Sequence, residues 1–457
     1  MKFTHTWLVA LGLATGATAS LAGVSAEEAQ ALGSTLTRFG AIKAGNKEGT
    51  IPEYTGGLTQ APSDFVPNSG AWTSPYAAEK PLFRIDGKNF TQHADKLSEG
   101  QKQLLKTNPG YYLDVYPTHR SAAYPEKVLK ATVRNATACN ASNDHLTVSP
   151  DCRGGLPFPI PKVGKEVMWN LMLRYAPETA VTTDHGRSWF VDADGKAIMT
   201  SDQYTLTERP YYQLDLKDRD PQMFWRTFSV TKAPGRLAGQ VTMLIDFLDM
   251  DNKPRRALSY TPGQRRVKLA PEFAYDTPIA QLGGVTFFDE LFLFSGKMDR
   301  FDFKLVGKKE MYIPYNNNQL YFGKECEAEK QFAGRHMNPA CERWELHRVW
   351  VVESTLKAGQ RHSYAKRTYF IDEDGSGAGM FDAYDKNGQI YRSMFQSMIQ
   401  MYDKTSPWGV KGVTYDFNKN MFLVVGDVGV GGYTVEPKAL SELDLNMEAV
   451  VGRETVR

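Results

Sequence analysis

Carboxylates, histidines and cysteines are the groups of this chain that could do chemistry, and the strongest local pattern among them is an acidic loop. The stretch 372–377 begins like a calcium-binding loop, with a glycine at its sixth position. Its twelfth position is Ala383, where such a loop requires a bidentate Glu. We therefore expect a hairpin turn here, with weak calcium binding by Asp372, Asp374 and Asp382 as the alternative.

Two acidic pairs could support general acid–base catalysis, namely Asp289 with Glu290 and Glu342 with Glu345. The chain has 52 Asp and Glu residues, most of which are expected on the solvated surface, so neither pair is singled out. The eight histidines show no metal-binding spacing such as HExxH, and His347 is most simply a polar position on a strand. Phosphate-binding GxxxxGK[ST] and serine-hydrolase GxSxG motifs do not occur. We predict no catalytic residue, metal or cofactor, and hence a protein that is not an enzyme.

The four cysteines lie in two local pairs, Cys139 with Cys152 and Cys326 with Cys341. In an oxidising compartment two local disulfides are the simplest account, each closing a loop of about fifteen residues and contributing roughly 3 kcal/mol. Four cysteines allow three connectivities, which the sequence does not resolve. A zinc site is the rival, but no CxxC occurs and each loop contains a single histidine.

The charge balance argues against a nucleic-acid partner, because 54 Lys and Arg against 52 Asp and Glu leave a formal charge of only +2. One basic cluster lies on the two arms of a hairpin predicted around residues 261–263. It would block sheet-to-sheet pairing as a solvated edge, or would contact anionic lipid headgroups or a partner protein. The cluster consists of Arg255, Arg256, Arg265, Arg266 and Lys268.

The first 26 residues are expected to be a signal peptide. Lys2 precedes an apolar run at residues 7–14, and small residues lead to a cleavage point near Ala26. The first cysteine is Cys139, so there is none near that point to carry a lipid anchor. No later stretch is long and apolar enough to span a bilayer. We therefore expect a periplasmic protein that does not span the membrane.

The sequence divides into four regions: the signal peptide 1–26, a loop-rich N-terminal segment 27–165, a β domain 166–435 and a C-terminal tail 436–457. The second region is rich in Pro and Gly and shows only two short helices, at 98–106 and 125–131. Because it cannot make much core alone, we expect it to wrap over the sheet that follows.

Alternation of apolar residues and turn signals predicts more than ten strands in the β domain. The dipeptides Asp194-Gly195 and Asn387-Gly388 are expected to turn hairpins. Residues 166–175 (EVMWNLMLRY) are interpreted as a strand, and 286–294 as a helix with a strand as the alternative. The stretch 392–403 fits both patterns and is assigned to strand. The short connections indicate a large antiparallel sheet.

Three blocks resemble a family of exported Gram-negative proteins classed as a domain of unknown function. They are residues 36–58 (LTRFGAIKAGNKEGTIPEYTGGL), 265–278 (RRVKLAPEFAYDTP) and 305–317 (LVGKKEMYIPYNN). The resemblance extends from about residue 32 to about residue 434, and the family is described as outer-membrane lipoprotein-sorting-like because its sheet is similar to those of LolA and LolB. It implies a mainly β (α+β) fold, with a large curved antiparallel sheet or incomplete β-barrel and a few helices on the concave side. It also implies an envelope exporter of the resistance-nodulation-division type, or an outer-membrane protein, as partner.

A wide curved sheet must either cover its concave face or use it. The leading hypothesis is a non-enzymatic periplasmic carrier or chaperone that binds lipid or another hydrophobic cargo in that face. Each methylene buried there would contribute about 0.8 kcal/mol. The expected groove residues are Trp169, Leu171, Leu173, Tyr175, Met243, Ile245 and Phe247, whose alternative role is ordinary core packing.

Two other classes of function remain open at this point. One is a scaffold or adaptor that docks envelope proteins without cargo, through its sheet edges and basic hairpin. The other, less favoured, is an exported hydrolase built from scattered carboxylates. A dry apolar groove, a filled core with exposed apolar edges, and carboxylates converging in a cleft would distinguish the three.

Overall fold

The computed structural model describes residues 23–271, 273, 275–429 and 431–455 of the chain. Residues 1–22, which make up most of the predicted signal peptide, therefore lie outside the described part. Within the described part, none of the helices combines the length and the apolar character needed to cross a membrane.

The secondary structure of the described part is mainly β. The α-helices are α1 (Ala26–Ala29), α2 (Glu99–Thr107), α3 (Glu126–Ala138), α4 (Gly164–Met172), α5 (Asn318–Phe322), α6 (Glu442–Leu445) and α7 (Met447–Thr455). The first strands are β1 (Phe83–Asp86), β2 (Tyr112–Val115), β3 (Ala141–Ser142), β4 (Thr147–Val148), β5 (Val181–Val191), β6 (Ala197–Glu208), β7 (Met223–Ala233), β8 (Val241–Phe247), β9 (Arg256–Thr261), β10 (Arg266–Leu269) and β11 (Phe301–Pro314). The remaining strands are β12 (Phe332–Ala333), β13 (His336–Met337), β14 (Trp344–Leu356), β15 (Lys366–Asp372), β16 (Gly379–Tyr384), β17 (Ile390–Gln396), β18 (Ile399–Met401), β19 (Ser406–Trp408), β20 (Gly412–Asp416), β21 (Met421–Asp427) and β22 (Thr434–Val435).

Short 3₁₀ helices fill many of the connections. They are Phe90–Lys96, Pro150–Cys152, Pro210–Tyr212, Gly235–Leu237, Pro262–Gln264, Ala280–Leu282, Phe288–Leu293, Lys324–Cys326, Ala328–Gln331, Pro339–Cys341 and Tyr402–Lys404.

Sixteen strands form one sheet, in the order β1-β2-β14-β15-β16-β17-β20-β21-β5-β6-β7-β8-β9-β10, with β11 also paired to β14 and β22 to β5. The pairings are antiparallel, except that β2 meets β14 in parallel where Val115 lies opposite Trp344. Because the strand path begins at β1 and ends at β10, the sheet is open. The predicted mainly β fold with a large, unclosed antiparallel sheet is confirmed.

The predicted hairpin turns are present. Asp192 accepts hydrogen bonds from the backbone N–H groups of Asp194 and Lys196, and Gly195 takes a positive φ of 81°. In the same way Asp385 accepts from the N–H groups two and four residues later, around Gly388 with φ of 74°. In each turn an Asp side chain accepts hydrogen bonds from the turn backbone, and a glycine follows. The turn is therefore determined by residues that are neighbours in the sequence. The acidic loop at 372–377 is likewise the turn between β15 and β16.

The central strands are covered on both faces. Tyr369 and Ile371 of β15 share the largest apolar cluster with Trp169 of α4. The intervening Phe370 belongs to a second cluster, on the opposite face, which includes Leu104 of α2. The sheet is therefore a middle layer between α4 and α2, with alternate side chains packed to either side.

The chain termini cover further parts of the sheet. The N-terminal region contributes β1 and β2 to the sheet itself, and α2 to one face. The C-terminal tail folds into α6 and α7, whose Leu445 and Val450 pack against Phe228 of β7 and Met243 of β8.

Residues 166–175 do not form the predicted strand: α4 ends at Met172, and Leu173 follows as its C-cap. The helix is buried on nearly every side, from Val167 and Met168 to Leu171 and Met172. Its apolar residues are not confined to one face, so Val167, Trp169 and Leu171 also satisfy a period of two. The predicted helix at 286–294 is the 3₁₀ segment Phe288–Leu293, and the stretch 392–403 contains strands β17 and β18 as predicted.

Both predicted local disulfides are confirmed. Cys139 bonds to Cys152 and Cys326 bonds to Cys341, thirteen and fifteen positions apart. The first closes the loop after α3 that contains β3 and β4, and the second closes the loop that contains β12 and β13. All four cysteine side chains are buried.

Candidate functional site

A trough lined by hydroxyl groups runs across strands β6, β7 and β8. Thr205 lies opposite Ser229 on β7, and Ser229 lies opposite Thr242 on β8. Residues directly opposite each other in an antiparallel pair share a face, so these three side chains stand side by side. All three remain partly exposed, which distinguishes this face from the packed centre of the sheet.

The trough is one side of a pocket of about 170 Å³, whose lining also includes Gln203, Thr227 and Gln281 and a set of apolar side chains. Trp225 and Leu244 form its floor on β7 and β8, and both are buried. Among the described residues its lining contains no charged side chain, unlike two larger cavities of about 600 and 440 Å³ whose walls include ion-paired Arg38 and Arg343. The remaining apolar side chains of the lining are Ile279, Leu282, Phe288, Leu291 and Phe292.

The wall of the cavity opposite the sheet is the segment 279–293. Near its start are two consecutive glycines at positive φ, Gly283 at 68° and Gly284 at 69°. It ends with two positive-φ residues that are not glycine, Phe292 at 57° and Leu293 at 75°. A left-handed backbone at a bulky residue costs of order 1–3 kcal/mol and persists only where the surroundings impose it. Here it turns the Phe292 ring edge-on to Trp225, with ring centroids 5.8 Å apart.

A buried ion pair fastens this segment to β15. Nη2 of Arg367 lies 3.0 Å from Oδ2 of Asp289, and Nε2 of His362 lies 3.0 Å from the same oxygen. Burial raises the pKa of Asp289, but Arg367 and His362 outweigh it and hold that pKa at about 2. Arg367 is fully buried and lies among aromatic rings 4.8 to 5.7 Å away, those of Phe294, Phe301, Tyr364 and Tyr369.

The next carboxylate fastens the segment to β17. Glu290 accepts hydrogen bonds from the hydroxyl of Thr286 at 2.9 Å, from the N–H of Phe287 at 2.7 Å and from the hydroxyl of Tyr364. Arg392 of β17 lies 3.8 Å from Glu290. Burial raises the pKa of Glu290 in spite of that arginine. The acidic pair considered for acid–base chemistry is thus an anchor beneath the wall of the cavity.

The seven predicted groove residues do not form one groove. Trp169, Leu171, Leu173 and Tyr175 belong to the cluster around α4, on one face of the sheet. The other three face the C-terminal helices on the opposite side. The seven residues lie in two separate apolar clusters because alternate residues of a strand point to opposite faces, and on β8 it is Leu244 that faces the pocket. Cargo binding by the seven residues stays a prediction. The three residues on β8 are Met243, Ile245 and Phe247.

The basic cluster divides in the same way. The Arg255 side chain is only 3% exposed and forms an ion pair with Asp246, with Nη2 2.7 Å from Oδ2. It therefore supports the wall of a separate cavity of about 240 Å³, which Phe247 also borders. The remaining cations are exposed on the edge hairpin β9–β10, and they are Arg256, Arg265, Arg266 and Lys268.

A second buried group of polar residues lies at the other end of the sheet. Oδ1 of Asp372 is 3.9 Å from Nδ1 of His347, on the neighbouring strand β14. Nε2 of His347 faces a carboxylate oxygen of Glu345 at 3.1 Å. Burial and the nearby carboxylate of Asp374 raise the pKa of Asp372 to about 7. His347, Asp372 and Asp374 offer one ligand atom each within 4.8 Å of one another, so they could hold a metal ion.

The cations of this second group come from three places: Arg120 from the N-terminal segment that wraps over the sheet, Lys308 from β11 and Arg348 from β14. Arg120 binds Asp374 through two hydrogen bonds of 2.6 and 3.0 Å. Glu373 lies 2.7 Å from Nζ of Lys308 and 3.4 Å from Nη1 of Arg348. The third carboxylate once considered for calcium, Asp382, lies elsewhere and binds the first N–H groups of α2.

Sequence reasoning missed the residues that shape both sites. Trp225 and Leu244 line the cavity although neither was singled out, and the only available signal was the run of Thr and Ser alternating with apolar residues on β6 to β8. Arg120 and Arg367 pair with carboxylates 254 and 78 positions away, respectively. No local pattern reports contacts over such distances.

Comparison with known proteins gives a family and one extended relative. The family model described as "Protein of unknown function (DUF1329)" matches residues 84–442. An uncharacterized protein of Pseudomonas aeruginosa, PA3922, is 40% identical over 435 residues, which cover 92% of this chain and 91% of the relative.

Solved structures with similar folds share little sequence with the chain. A Vibrio parahaemolyticus domain named for outer membrane lipoprotein sorting has a TM-score of 0.41 at 10% identity, covering 62% of this chain and 96% of its own. A DUF1329 family protein from Desulfovibrio piger has a TM-score of 0.40 at 12% identity, covering 62% and 98%. A LolA superfamily protein from Nitrosomonas europaea has a TM-score of 0.37 at 8% identity, covering 63% and 99%.

Proposed function

Because this chain belongs to the DUF1329 family of proteins of unknown function, we propose a function from its own site: it is a non-enzymatic carrier or chaperone that binds a lipid or another amphipathic, hydrophobic cargo. The observation that carries the proposal is the pocket on β6–β8, lined by hydroxyl and apolar side chains and by no charged residue among those described. An exported, periplasmic location is part of the same proposal.

The cavity suits the apolar end of a cargo molecule. Trp225, Leu244 and Phe288 present apolar surface on three sides of it, and each methylene buried there would contribute about 0.8 kcal/mol. A volume of about 170 Å³ accommodates only a short stretch of hydrocarbon or a single ring. The rest of a longer cargo would therefore extend out of the pocket.

The trough suits the polar part of the same molecule. Thr205, Ser229 and Thr242 offer hydroxyl groups, which both donate and accept hydrogen bonds. The buried indole N–H of Trp225 has no hydrogen-bond acceptor among the described residues. An oxygen of the cargo would satisfy that donor, so we favour a ligand that combines an alkyl or ring portion with an ester, carboxylate or hydroxyl group.

The cavity wall favours a fixed receptor over a wide lid. Opening the segment 279–293 would separate the buried Asp289–Arg367 ion pair, which holds the segment to β15. Cargo would therefore enter along the trough. No phosphate-binding motif occurs in the sequence, so release would require tighter binding by the next component, an envelope exporter or an outer-membrane protein.

The test is direct capture of a ligand. Protein isolated from its native compartment is extracted into organic solvent, and the extract is examined by mass spectrometry. In parallel, the delipidated protein is titrated with a fluorescent fatty acid. We expect a bound amphipathic molecule and saturable uptake of the probe, and the absence of both would refute the carrier function.

A pair of variants locates the binding. Ser229→Trp fills the trough with an indole, whereas Val306→Trp places the same group on an exposed position of β11, away from the trough. We expect Ser229→Trp to weaken probe binding at least tenfold and Val306→Trp to leave it unchanged. Equal binding by both variants would move the cargo site away from the trough.

A second candidate function, a docking adaptor without cargo, is favoured by the edge hairpin β9–β10. Arg256, Arg265 and Arg266 are exposed there beside Leu269, whose surface is 68% exposed. An apolar side chain among cations on an edge strand is a suitable contact for a partner protein or an anionic membrane surface. Two results together would support the adaptor: the protein yields no ligand, and an envelope partner that co-purifies with it is lost when Arg265→Glu and Arg266→Glu are introduced.

A further inference from the structure

The buried polar group around Asp372 contains a carboxylate without a cation. Asp374 pairs with Arg120, Glu373 with Lys308 and Glu345 with Arg343. Asp372 is 2% exposed, and within the described residues no Lys or Arg nitrogen lies within 4 Å of it. Its Oδ2 accepts hydrogen bonds from the hydroxyls of Ser376 and Tyr315, at 2.7 and 3.3 Å, but its Oδ1 has no hydrogen-bond partner in the described structure.

The ring of His347 presents a second unused lone pair to the same point. Its Nε2 lies 3.1 Å from a carboxylate oxygen of Glu345, so the ring hydrogen belongs on Nε2 in the neutral imidazole. Nδ1 then carries a lone pair, and it faces Oδ1 of Asp372 at 3.9 Å. Stacking on Tyr315, with ring centroids 3.9 Å apart, fixes the plane of the imidazole. Two acceptors that face each other in a buried site are satisfied either by a proton on one of them or by a cation between them.

We propose that His347, Asp372 and Asp374 together bind one divalent first-row transition-metal ion of the Zn²⁺ class. Ligand atoms no more than 4.8 Å apart have a common point within about 2.8 Å of each, and Zn²⁺ requires about 2.0–2.2 Å. An inward shift of about 0.6–0.8 Å in each side chain would bring the three ligand atoms to that distance, and a water molecule would occupy the fourth position of the tetrahedron.

The surroundings of the three ligands are those of a metal site. Glu345 accepts the Nε2 hydrogen of His347, which is the carboxylate–histidine–metal arrangement that orients a ligating ring. Glu345 is itself held by Arg343 at 2.6 Å and by the backbone N–H of His119 at 2.8 Å. Arg120 fixes Asp374, whose two oxygens each keep a lone pair for a metal.

The ligand set selects the class of metal. Ca²⁺ takes six to eight oxygen ligands, and Mg²⁺ keeps most of its water shell, so neither suits a buried site with an imidazole nitrogen. One imidazole nitrogen and two carboxylate oxygens suit Zn²⁺ and its neighbours in the first transition row. The ion would link β14, the β15–β16 turn and, through Arg120, the N-terminal wrap.

The experiment begins with the complete mature protein, freed of metal by dialysis against a chelator and then refolded or incubated with Zn²⁺. We expect one Zn²⁺ per chain by elemental analysis and a rise in Tm, because an ion that binds only the native state stabilises it. Crystals of the zinc-loaded protein should show an anomalous peak at the zinc edge between His347 Nδ1 and Asp372 Oδ1.

Two isosteric variants separate this site from others. Asp372→Asn removes the charge and weakens a ligand, so we expect zinc affinity to fall about tenfold or more and the zinc-induced rise in Tm to disappear. Glu342→Gln is the matched control, because Glu342 is another buried carboxylate beside β14 but bonds only to Tyr111 in the described structure. Its zinc affinity and zinc-induced rise in Tm should equal those of the wild type.

Three results would overturn the proposal. One is a wild-type protein that takes up no Zn²⁺ during refolding. Another is an anomalous peak only at exposed His–carboxylate pairs such as His185–Asp202, which would mean an adventitious ion only. The last is equal zinc binding by wild type and Asp372→Asn. If Asp372→Asn fails to fold, the position of the anomalous peak in the wild type decides the question.

Discussion

Gly100 places its backbone N–H 3.1 Å from a carboxylate oxygen of Asp382, so a side chain of the sheet caps helix α2. The same carboxylate accepts from the N–H of Glu99 at 2.7 Å and from the hydroxyl of Ser393 at 2.6 Å. A Cβ on residue 100 would lie 1.9 Å from the Ser393 hydroxyl oxygen and 2.7 Å from the carboxylate. The close approach of α2 to β16 and β17 therefore requires glycine at this position.

We expect Gly100→Ala to destabilise the protein by about 1–3 kcal/mol, the usual cost of overpacking, although Ala is the better helix former. Urea unfolding followed by circular dichroism measures the change. The matched control is Gly452→Ala in α7, where a Cβ would meet none of the described atoms within 4 Å. That variant should gain up to about 1 kcal/mol from helix propensity, and equal effects of the two substitutions would contradict the close approach.

Glu342 should make stability depend on pH. Burial raises its pKa from an ordinary value near 4.5 to about 8. Between these values the native state holds a proton that the unfolded chain has released, so the free energy of unfolding falls as pH rises from about 4.5 to about 8. Glu342→Gln should flatten that part of the profile, as measured by urea unfolding at pH 5, 6.5 and 8. An unchanged slope in the variant would show that Glu342 is ionised in the native protein.

Arg367 should be costly to remove alone and cheaper to remove with its partner. Arg367→Met leaves the carboxylate of Asp289 buried without its arginine, which typically costs about 3–5 kcal/mol. The double variant Asp289→Leu/Arg367→Met removes both charges and should recover a large part of that loss. The four free energies of unfolding form a double-mutant cycle, and strictly additive effects would show that the two side chains do not interact.

Each disulfide should stabilise the protein independently. Replacing both cysteines of one pair should lower the free energy of unfolding by about 3 kcal/mol, because each disulfide closes a loop of about fifteen residues. The pairs are Cys139 with Cys152 and Cys326 with Cys341. Non-reducing peptide mapping of the protein from its native compartment should recover the two local pairs. Free thiols at all four positions would reject the assignment.

The sequence predicts the local features of this fold well. Asp194-Gly195 and Asn387-Gly388 turn hairpins because the carboxylate that binds each turn lies within a few residues of the glycine. The helix over Glu99–Thr107 follows from Ser98 and Gln101, which form its capping box. In these cases the residue that determines the conformation and the residue that adopts it are neighbours in the chain.

The candidate site was harder to predict because it depends on which face of a strand is covered. The alternation of Met243, Ile245 and Phe247 on β8 is real, but the C-terminal helices, almost 200 residues later, decide that these side chains are core. Leu244 thereby becomes the floor of the cavity. The sequence of α4 predicts a strand because the helix is buried on nearly every side, so its apolar residues are spread over several faces and also fit a period of two.

The central pairing of β5 with β21 sets the order in which the chain can fold. Trp189 donates from Nε1 to Asp427 at 2.7 Å, across 238 positions of sequence. While the chain is synthesised or exported from its N-terminus, β5 cannot pair with β21 until that strand, which lies far along the sequence, has followed. Contacts of such range slow folding and leave apolar strand edges unprotected in the meantime. A nascent chain that ends before β21 would keep an unpaired strand edge in the middle of its sheet. We expect such a chain to aggregate, or to depend on chaperones until the remaining strands have been synthesised.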